Sequence, residues 1–491
     1  MKANPTQKVL LAHSYFLYFD AKQVRKMRPY SPLATLIAAA VLRNQGYEVS
    51  LFDAMLAPDP QVFHEMLARE RPSVVALLED NFNFLTKMCT TRMREAAFAM
   101  IADARQCGAR VVVNGSDATD QPQLYFDAGA EAIIIGETEH SLPELLTAWQ
   151  RGESPEKIPG LLLPLEEQAN ASSWLKTPPR NLVEDLDKLP FPAWDLVDPK
   201  PYRQAWKQAH GRFSWNLVTT RGCPFQCNWC AKPLYGRRYA QKSPARVAEE
   251  MAKLQECLAP EHIWFADDIF GLTPNWIESL AQELEIRQVK IPFTMQSRVD
   301  LMTKSACRAL AHAGAEEVWL GVESGAQKIL DAMDKETTLD GIRFATQELR
   351  AHGVRPSWFL QLGYPGEDWP EILATRDLVR EQVPHDVGVS VSYPLPGTLF
   401  YERVHSQMKE KTNWTDSDDL AMLFTGTFQT EFYRMVRDLL HEEAVIAIRE
   451  DAGSRESGQR LLDVKWQELG QRQSQYRSAQ PTRFHSEDAV S

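Results

Sequence analysis

The strongest constraint on the fold is a rhythm. Short apolar runs alternate with segments of helical period, and the whole alternation occurs twice in series. In the first series the runs are residues 8–12 (KVLLA), 48–52 (EVSLF), 73–78 (SVVALL), 110–114 (RVVVN) and 131–135 (EAIII). Helical segments fall between them at 33–45, 60–69, 86–106 and 141–151, with an irregular piece at 122–128. Five such units predict an α/β, doubly wound (Rossmann-like) parallel sheet. Ligands of such sheets bind at the carboxyl ends of the strands.

The second series has runs at 214–219 (SWNLVT), 262–266 (HIWFA), 292–296 (PFTMQ), 317–321 (EVWLG), 355–362 (RPSWFLQL) and 386–392 (DVGVSVS). Helical segments at 244–257, 274–287, 304–313, 339–352 and 369–382 separate them. Six units predict a partial (β/α)6 barrel with its site at the carboxyl ends of the strands. Between the two series, residues 152–211 carry prolines at 155, 159, 164, 178, 179, 190, 192, 199 and 201. Proline at that density resists helix and central strand alike. The expectation is a connecting segment with a short hairpin near 160–164. The predicted units are therefore residues 1–151, the connector 152–211, the barrel 212–396, a helical region 397–470 and a frayed polar tail 471–491.

Charge narrows the partners. Among 491 residues, Lys and Arg number 54 against 66 Asp and Glu, a net charge of −12. An acidic chain is a poor phosphate-backbone binder, so no nucleic-acid partner is expected. No apolar stretch is long enough for a membrane span, and the first residues carry too short an apolar run for a secretory signal. Seven cysteines are too few and too scattered for a disulfide scaffold, which points to a reducing, cytoplasmic setting.

Three of those cysteines stand close together. Residues 220–230 read TRGCPFQCNWC and place Cys223, Cys227 and Cys230 as C-x3-C-x2-C directly after the first strand of the second series. Three thiolates from one loop suit a metal cluster, and no fourth Cys or His is spaced to complete a zinc site. Trp229, just before the third Cys, is placed to cover the cluster.

This motif, on that loop of a six-unit barrel, resembles the radical S-adenosylmethionine superfamily. The resemblance implies that the three Cys hold a [4Fe–4S] cluster whose open iron binds S-adenosylmethionine. Electron transfer to the sulfonium would then give a 5′-deoxyadenosyl radical that abstracts a substrate hydrogen. It also implies S-adenosylmethionine contacts from Trp229 and from residues ending successive strands. These are Asp267 and Asp268, Gln296 and Arg298, Glu323 and Ser324 of a GxESG-like stretch, and Gly363 and Pro365 of GYPGE. The residues alone leave other roles open: paired acids also cap helices, Arg298 also suits an ion pair, and Pro-Gly also makes an ordinary turn. No catalytic residue beyond these contacts is read from the sequence.

A doubly wound domain ahead of such a barrel resembles the cobalamin-binding radical enzymes, over about residues 5 to 450. The resemblance implies cobalamin contacts at Tyr30, Leu33, Gly115, Ser116, Asp117, Gly136 and Glu137, and possible lining by residues 79–88. The D-x-H-x-x-G motif that offers a cobalt ligand is absent. His13 and His140 are nearest by position but lack its context, so a lower cobalt face without a His ligand is implied. The activity implied is methyl transfer to an unactivated substrate carbon. The alternative is an oxidative or ring-forming reaction like that of the anaerobic magnesium-protoporphyrin IX monomethyl ester cyclase. The expected partners are a small-molecule or natural-product substrate and a low-potential electron donor such as a flavodoxin or ferredoxin.

Overall fold

The computed structural model describes residues 7–80, 82, 86, 90–165, 174–230, 238–448 and 451–482. Its first sheet contains β1 (Lys8–Ala12), β2 (Glu48–Phe52), β3 (Val74–Leu78), β4 (Arg110–Asn114), β5 (Ala132–Ile134), β6 (Leu161–Pro164) and β7 (Trp174–Lys176) in the order β2-β1-β3-β4-β5-β6-β7. The first five are parallel, and the order reverses between β1 and β3, which makes that crevice the switch point. The strands read as unbroken apolar runs because both faces are covered. Val9, Leu11, Val74, Ala76 and Val112 join one core, while Leu10, Val75, Leu77, Val111 and Val113 join the other.

The connector behaves differently from its expected character. The hairpin near 160–164 exists, but as β6 and β7 it adds two antiparallel strands to the first sheet. A helix, Pro199–His210, also forms there despite the proline density. Asp198 caps it, and the prolines sit in the first turn, where a missing N–H costs no helical hydrogen bond.

The second sheet is all parallel, in the order β15-β14-β13-β12-β11-β8. Its strands are β8 (Ser214–Leu217), β11 (His262–Phe265), β12 (Phe293–Ser297), β13 (Ala315–Glu323), β14 (Arg355–Leu362) and β15 (Val387–Val391). The two short strands β9 (Thr220–Arg221) and β10 (Ala240–Gln241) pair beside the cysteine loop. Because β8 and β15 are edges, the six units form a partial barrel, as the sequence rhythm predicts. Trp358 shows which face is outward: its indole N–H donates to Thr346 of the helix Leu339–Ala351.

The C-terminal region adds the helices Leu399–Val404, Thr430–Ala447 and Ala452–Arg472. The tail does not fray where expected. Residues 473–482 are docked: the amide of Gln429 donates to the Tyr476 carbonyl, that of Thr482 to the Thr425 carbonyl, and Arg477 pairs with Asp368. Residues 483–491 of that predicted tail lie outside the described residues. Among the described residues no helix is long and apolar enough to cross a membrane.

Candidate functional site

The carboxyl ends of the two sheets meet around the cysteine loop. The loop leaves β8 through Thr219 and Thr220, and Asp267 fixes both. The Asp267 carboxylate accepts from the two backbone amides at 2.7 and 2.6 Å and from the two hydroxyls at 3.1 and 2.9 Å. Burial drives its pKa up to about 7 against those hydrogen bonds. Asp267 thus anchors the loop rather than presenting an open carboxylate, while its neighbour Asp268 is exposed. Gln296 donates to the Asp267 carbonyl at 2.5 Å and holds the same turn from β12.

Cys223 is buried, and Cys227 and Cys230 are half-buried. Among the described residues no Cys takes part in a disulfide. None of them forms a group of three or more His, Cys, Asp or Glu side chains gathered for one metal ion. A four-iron cube asks for something else, since it attaches each thiolate to a different iron. The surroundings suit thiolates. Arg298 Nη1 donates to Cys227 Sγ at 3.4 Å, Nη2 to the Lys335 carbonyl at 2.7 Å and Nε to Asp300 at 2.8 Å, and its guanidinium lies 3.8 Å over the Phe225 ring. That guanidinium faces a cysteine sulfur, a role the sequence did not suggest. Hydrogen bonds to cluster sulfurs are one of the levers on reduction potential.

Two residues that sequence reasoning missed complete this wall. Lys335 is buried, 2.7 Å from Glu323 and 5.8 Å from the Trp229 ring centre. Burial lowers its pKa, but Glu323 and Cys227 more than offset that, and the net shift is upward. Asn228, between Cys227 and Trp229, donates from Nδ2 to the Ala332 carbonyl and Asp334, both at 2.8 Å, and accepts from the Tyr364 hydroxyl at 2.8 Å. Asn228 lies inside the cysteine motif without being one of its thiols, and its partners lie more than a hundred residues away; Lys335 belongs to no recognisable motif.

The other predicted contacts fall on the same rim. Glu323 has φ +64, a left-handed conformation that a non-glycine residue adopts only under constraint. Ser324 accepts from the Ala326 amide at 3.2 Å. Gly325 leaves no room for a side chain, because a Cβ would sit 2.5 Å from the Thr375 Cα of the helix Trp369–Gln382. Gly363 takes φ +76 and donates to Glu367 at 2.5 Å, with Pro365 buried beside it.

The first sheet's candidates divide. Leu33 is buried at the start of the helix Leu33–Asn44, and Tyr30 lies 6.3 Å from Trp264 of the barrel. Between them, the Ser31 amide and hydroxyl both donate to Asn216 of β8. Gly115 is pressed against Glu79, 2.9 Å from where a Cβ would lie. Ser116 is half-buried, and Gly136 has φ +75. These two turns, each with one glycine, present backbone, which suits the uncharged amide rim of a corrin. Asp117 is engaged by Arg94 at 2.6 and 2.5 Å and by the Tyr125 hydroxyl at 2.9 Å. Glu137 accepts from Arg221 at 2.6 Å and from the Val183 amide at 2.5 Å. Both carboxylates are committed to protein partners. His13 is buried, with Nε2 2.9 Å from Asp53, and His140 is exposed. Of residues 79–88, positions 81, 83–85, 87 and 88 lie outside the described residues.

Arg221 joins the two halves. It stands two residues before Cys223 and, besides Glu137, reaches Glu139 at 2.5 Å. All three side chains are about 5% exposed or less.

Residues 217–379 match the Radical SAM superfamily. Over 308 residues the chain is 27% identical to an uncharacterised methyltransferase of Pyrococcus horikoshii, covering 62% of this chain and 65% of the relative. The chain thus spans just under two thirds of that relative's length. It is 24% identical to the hopanoid C-3 methylase of Methylococcus capsulatus over 78% of this chain and 69% of that one. A likeness at 24% identity also extends to an anaerobic magnesium-protoporphyrin IX monomethyl ester cyclase of Synechocystis, over 48% of this chain and 44% of the cyclase. Among solved structures, the methyltransferase TsrM of Kitasatospora setae, with cobalamin and a [4Fe–4S] cluster bound, superposes with a TM-score of 0.67 at 21% identity, covering 82% of this chain and 75% of that one. The cobalamin-dependent enzyme OxsB gives 0.70 at 15% identity over 95% of this chain and 72% of that one. At these identities the likeness is one of fold.

Proposed function

Because this chain is a member of the radical S-adenosylmethionine superfamily, we propose that it acts as a cobalamin-dependent C-methyltransferase. The observation that carries this reading is the Glu137–Arg221–Glu139 contact, which holds the carboxyl end of the first sheet against the cysteine loop. Two cofactor sites that serve one substrate carbon must open on one space, because misplacement by an ångström costs rate steeply. When bound, the cluster with S-adenosylmethionine supplies a hydrogen-abstracting radical, and the corrin supplies the methyl group. Methyltransferase-named relatives support the same reading.

In this reading Cys223, Cys227 and Cys230 hold the cluster. Arg298 donates to the Cys227 sulfur, and Trp229 keeps water from it. Asp267 and Gln296 fix the strand end that carries the loop. Asp268, Glu323, Ser324, Gly363 and Pro365 surround S-adenosylmethionine. Tyr30, Leu33, Gly115, Ser116 and Gly136 surround the corrin, with Asp117 and Glu137 acting as positioning residues through Arg94 and Arg221. The substrate is a small molecule or natural product, and a flavodoxin or ferredoxin delivers the electron.

The test is turnover with S-adenosylmethionine labelled in its methyl group. Label carried into the product supports methyl transfer. An oxidised or ring-closed product without label favours the second reading, which the cyclase relatives support.

A further inference from the structure

The turn after the helix Gln327–Ala332 grips the cysteine loop, although no motif marks it. The backbone amide of Asn228 donates to the Met333 carbonyl at 3.1 Å, and its side chain reaches the Ala332 carbonyl and Asp334. Asp334 and Glu336 have φ +51 and +56, left-handed values that a non-glycine residue holds only when its surroundings require them. Both are exposed, whereas Lys335 between them is buried. The turn is thereby folded against the loop with Lys335 inward.

The same turn aims Arg298. Nη2 donates to the Lys335 carbonyl at 2.7 Å, Nε donates to Asp300 at 2.8 Å, and the guanidinium lies 3.8 Å over the Phe225 ring. With those directions taken, Nη1 faces Cys227 Sγ at 3.4 Å, and the whole side chain is buried. The two cations at this corner differ in their counter-ions. The Lys335 ammonium lies 2.7 Å from Glu323, which is buried with it, so that pair is balanced inside the protein. Asp300, the counter-ion of Arg298, is exposed, and water screens it. The uncompensated positive field at Cys227 therefore comes from Arg298.

We propose that Arg298, held by the turn at 332–336, is a positioning residue that raises the reduction potential of the cluster through the Cys227 sulfur. This rests on the three Cys holding the cluster and not on the fate of the methyl group. Reduction adds one electron, and so one negative charge, to the cluster. A donor and a positive charge fixed at a ligand sulfur favour that more negative state, and burial strengthens the effect. The flavodoxin or ferredoxin electron is then accepted more readily.

Spectroelectrochemical titration of the reconstituted holoenzyme, with no S-adenosylmethionine or substrate added, tests this. Arg298→Met removes the charge and the donor. It should lower the reduced-to-oxidised ratio at a fixed potential by about tenfold, a downward midpoint shift of about 59 mV for one electron. Arg298→Lys keeps the charge without the fork and should recover about half of that shift. Asp300→Asn removes the counter-ion and leaves the donor in place, so it should raise the same ratio by about threefold. An arginine with a merely structural role would change iron retention or stability and leave the midpoint where it was. If Arg298→Met cannot hold the cluster, the sign of the Asp300→Asn shift decides alone. An unmoved midpoint in cluster-loaded Arg298→Met, or an absent or downward shift in Asp300→Asn, overturns the proposal. Because the titration needs no turnover, that result would leave the methyl-label test standing, and failure of label transfer would leave the role of Arg298 standing.

Discussion

The two parallel sheets follow one construction and treat their faces in opposite ways. In the first, strands such as Val74–Leu78 are buried on both sides. In the second, Arg355–Leu362 sets Trp358 and Leu360 outward, while Phe359 points into a half-open lumen. A sheet closed on both faces can offer a ligand only its edge, where the strand ends and their loops stand. A curled sheet with an unfilled inner face can surround one. The first half is therefore suited to presenting a cofactor from one side, and the second to enclosing a substrate.

That division can be broken most severely at the cysteine loop. Replacing Cys223, Cys227 or Cys230 with Ala should abolish cleavage of S-adenosylmethionine, measured as 5′-deoxyadenosine in anaerobic assays. Cys107, Cys257 and Cys307 to Ser should leave it intact. Next comes the seam between the halves. Arg221→Met strands two buried carboxylates and should cost about 3–5 kcal/mol in denaturant unfolding. Adding Glu137→Gln and Glu139→Gln should recover much of that loss, because no buried charge then lacks a partner.

The two faces of the second sheet are separable by smaller steps. Leu320→Ala on the outward face should cost about 2–5 kcal/mol. Phe359→Leu on the inward face should cost less than about 1.5 kcal/mol, because the lumen side is not close-packed. Equal costs would mean that the lumen is filled.

The smallest effect is a pH slope. Glu367 is buried beside Gly363, one of its carboxyl oxygens has no partner among the described residues, and burial pushes its pKa up to about 8. The folded chain then holds a proton that the unfolded chain, with an ordinary carboxyl near pH 4, has lost. Stability should therefore fall as pH rises from about 4 to 8. Glu367→Gln should flatten that part of the profile in thermal melts.

Much of this difference was readable in the sequence. The runs VVALL and RVVVN are continuous, as a sheet buried on both faces requires, whereas AEEVWLGVE and VGVSV mix apolar with polar or small residues. The cysteine spacing stood out because three ligands share one loop. What the sequence hid were contacts made at long range by single residues. Arg221 meets Glu137 and Glu139 across more than eighty positions, and Lys335 reaches back to Glu323 from a separate turn. The resemblance implied an S-adenosylmethionine contact for Asp267 at its strand end, and only its four hydrogen bonds to Thr219 and Thr220 show an anchoring role. The helix Pro199–His210 was hidden by counting prolines without regard to their place in the first turn.

The most direct test of the account is the ultraviolet–visible spectrum of the anaerobically purified, cluster-containing chain titrated with hydroxocobalamin. The account predicts an iron–sulfur absorption that Cys227→Ala removes, together with saturable retention of one corrin per chain through gel filtration. A chain that keeps its cluster but retains no corrin would contradict it.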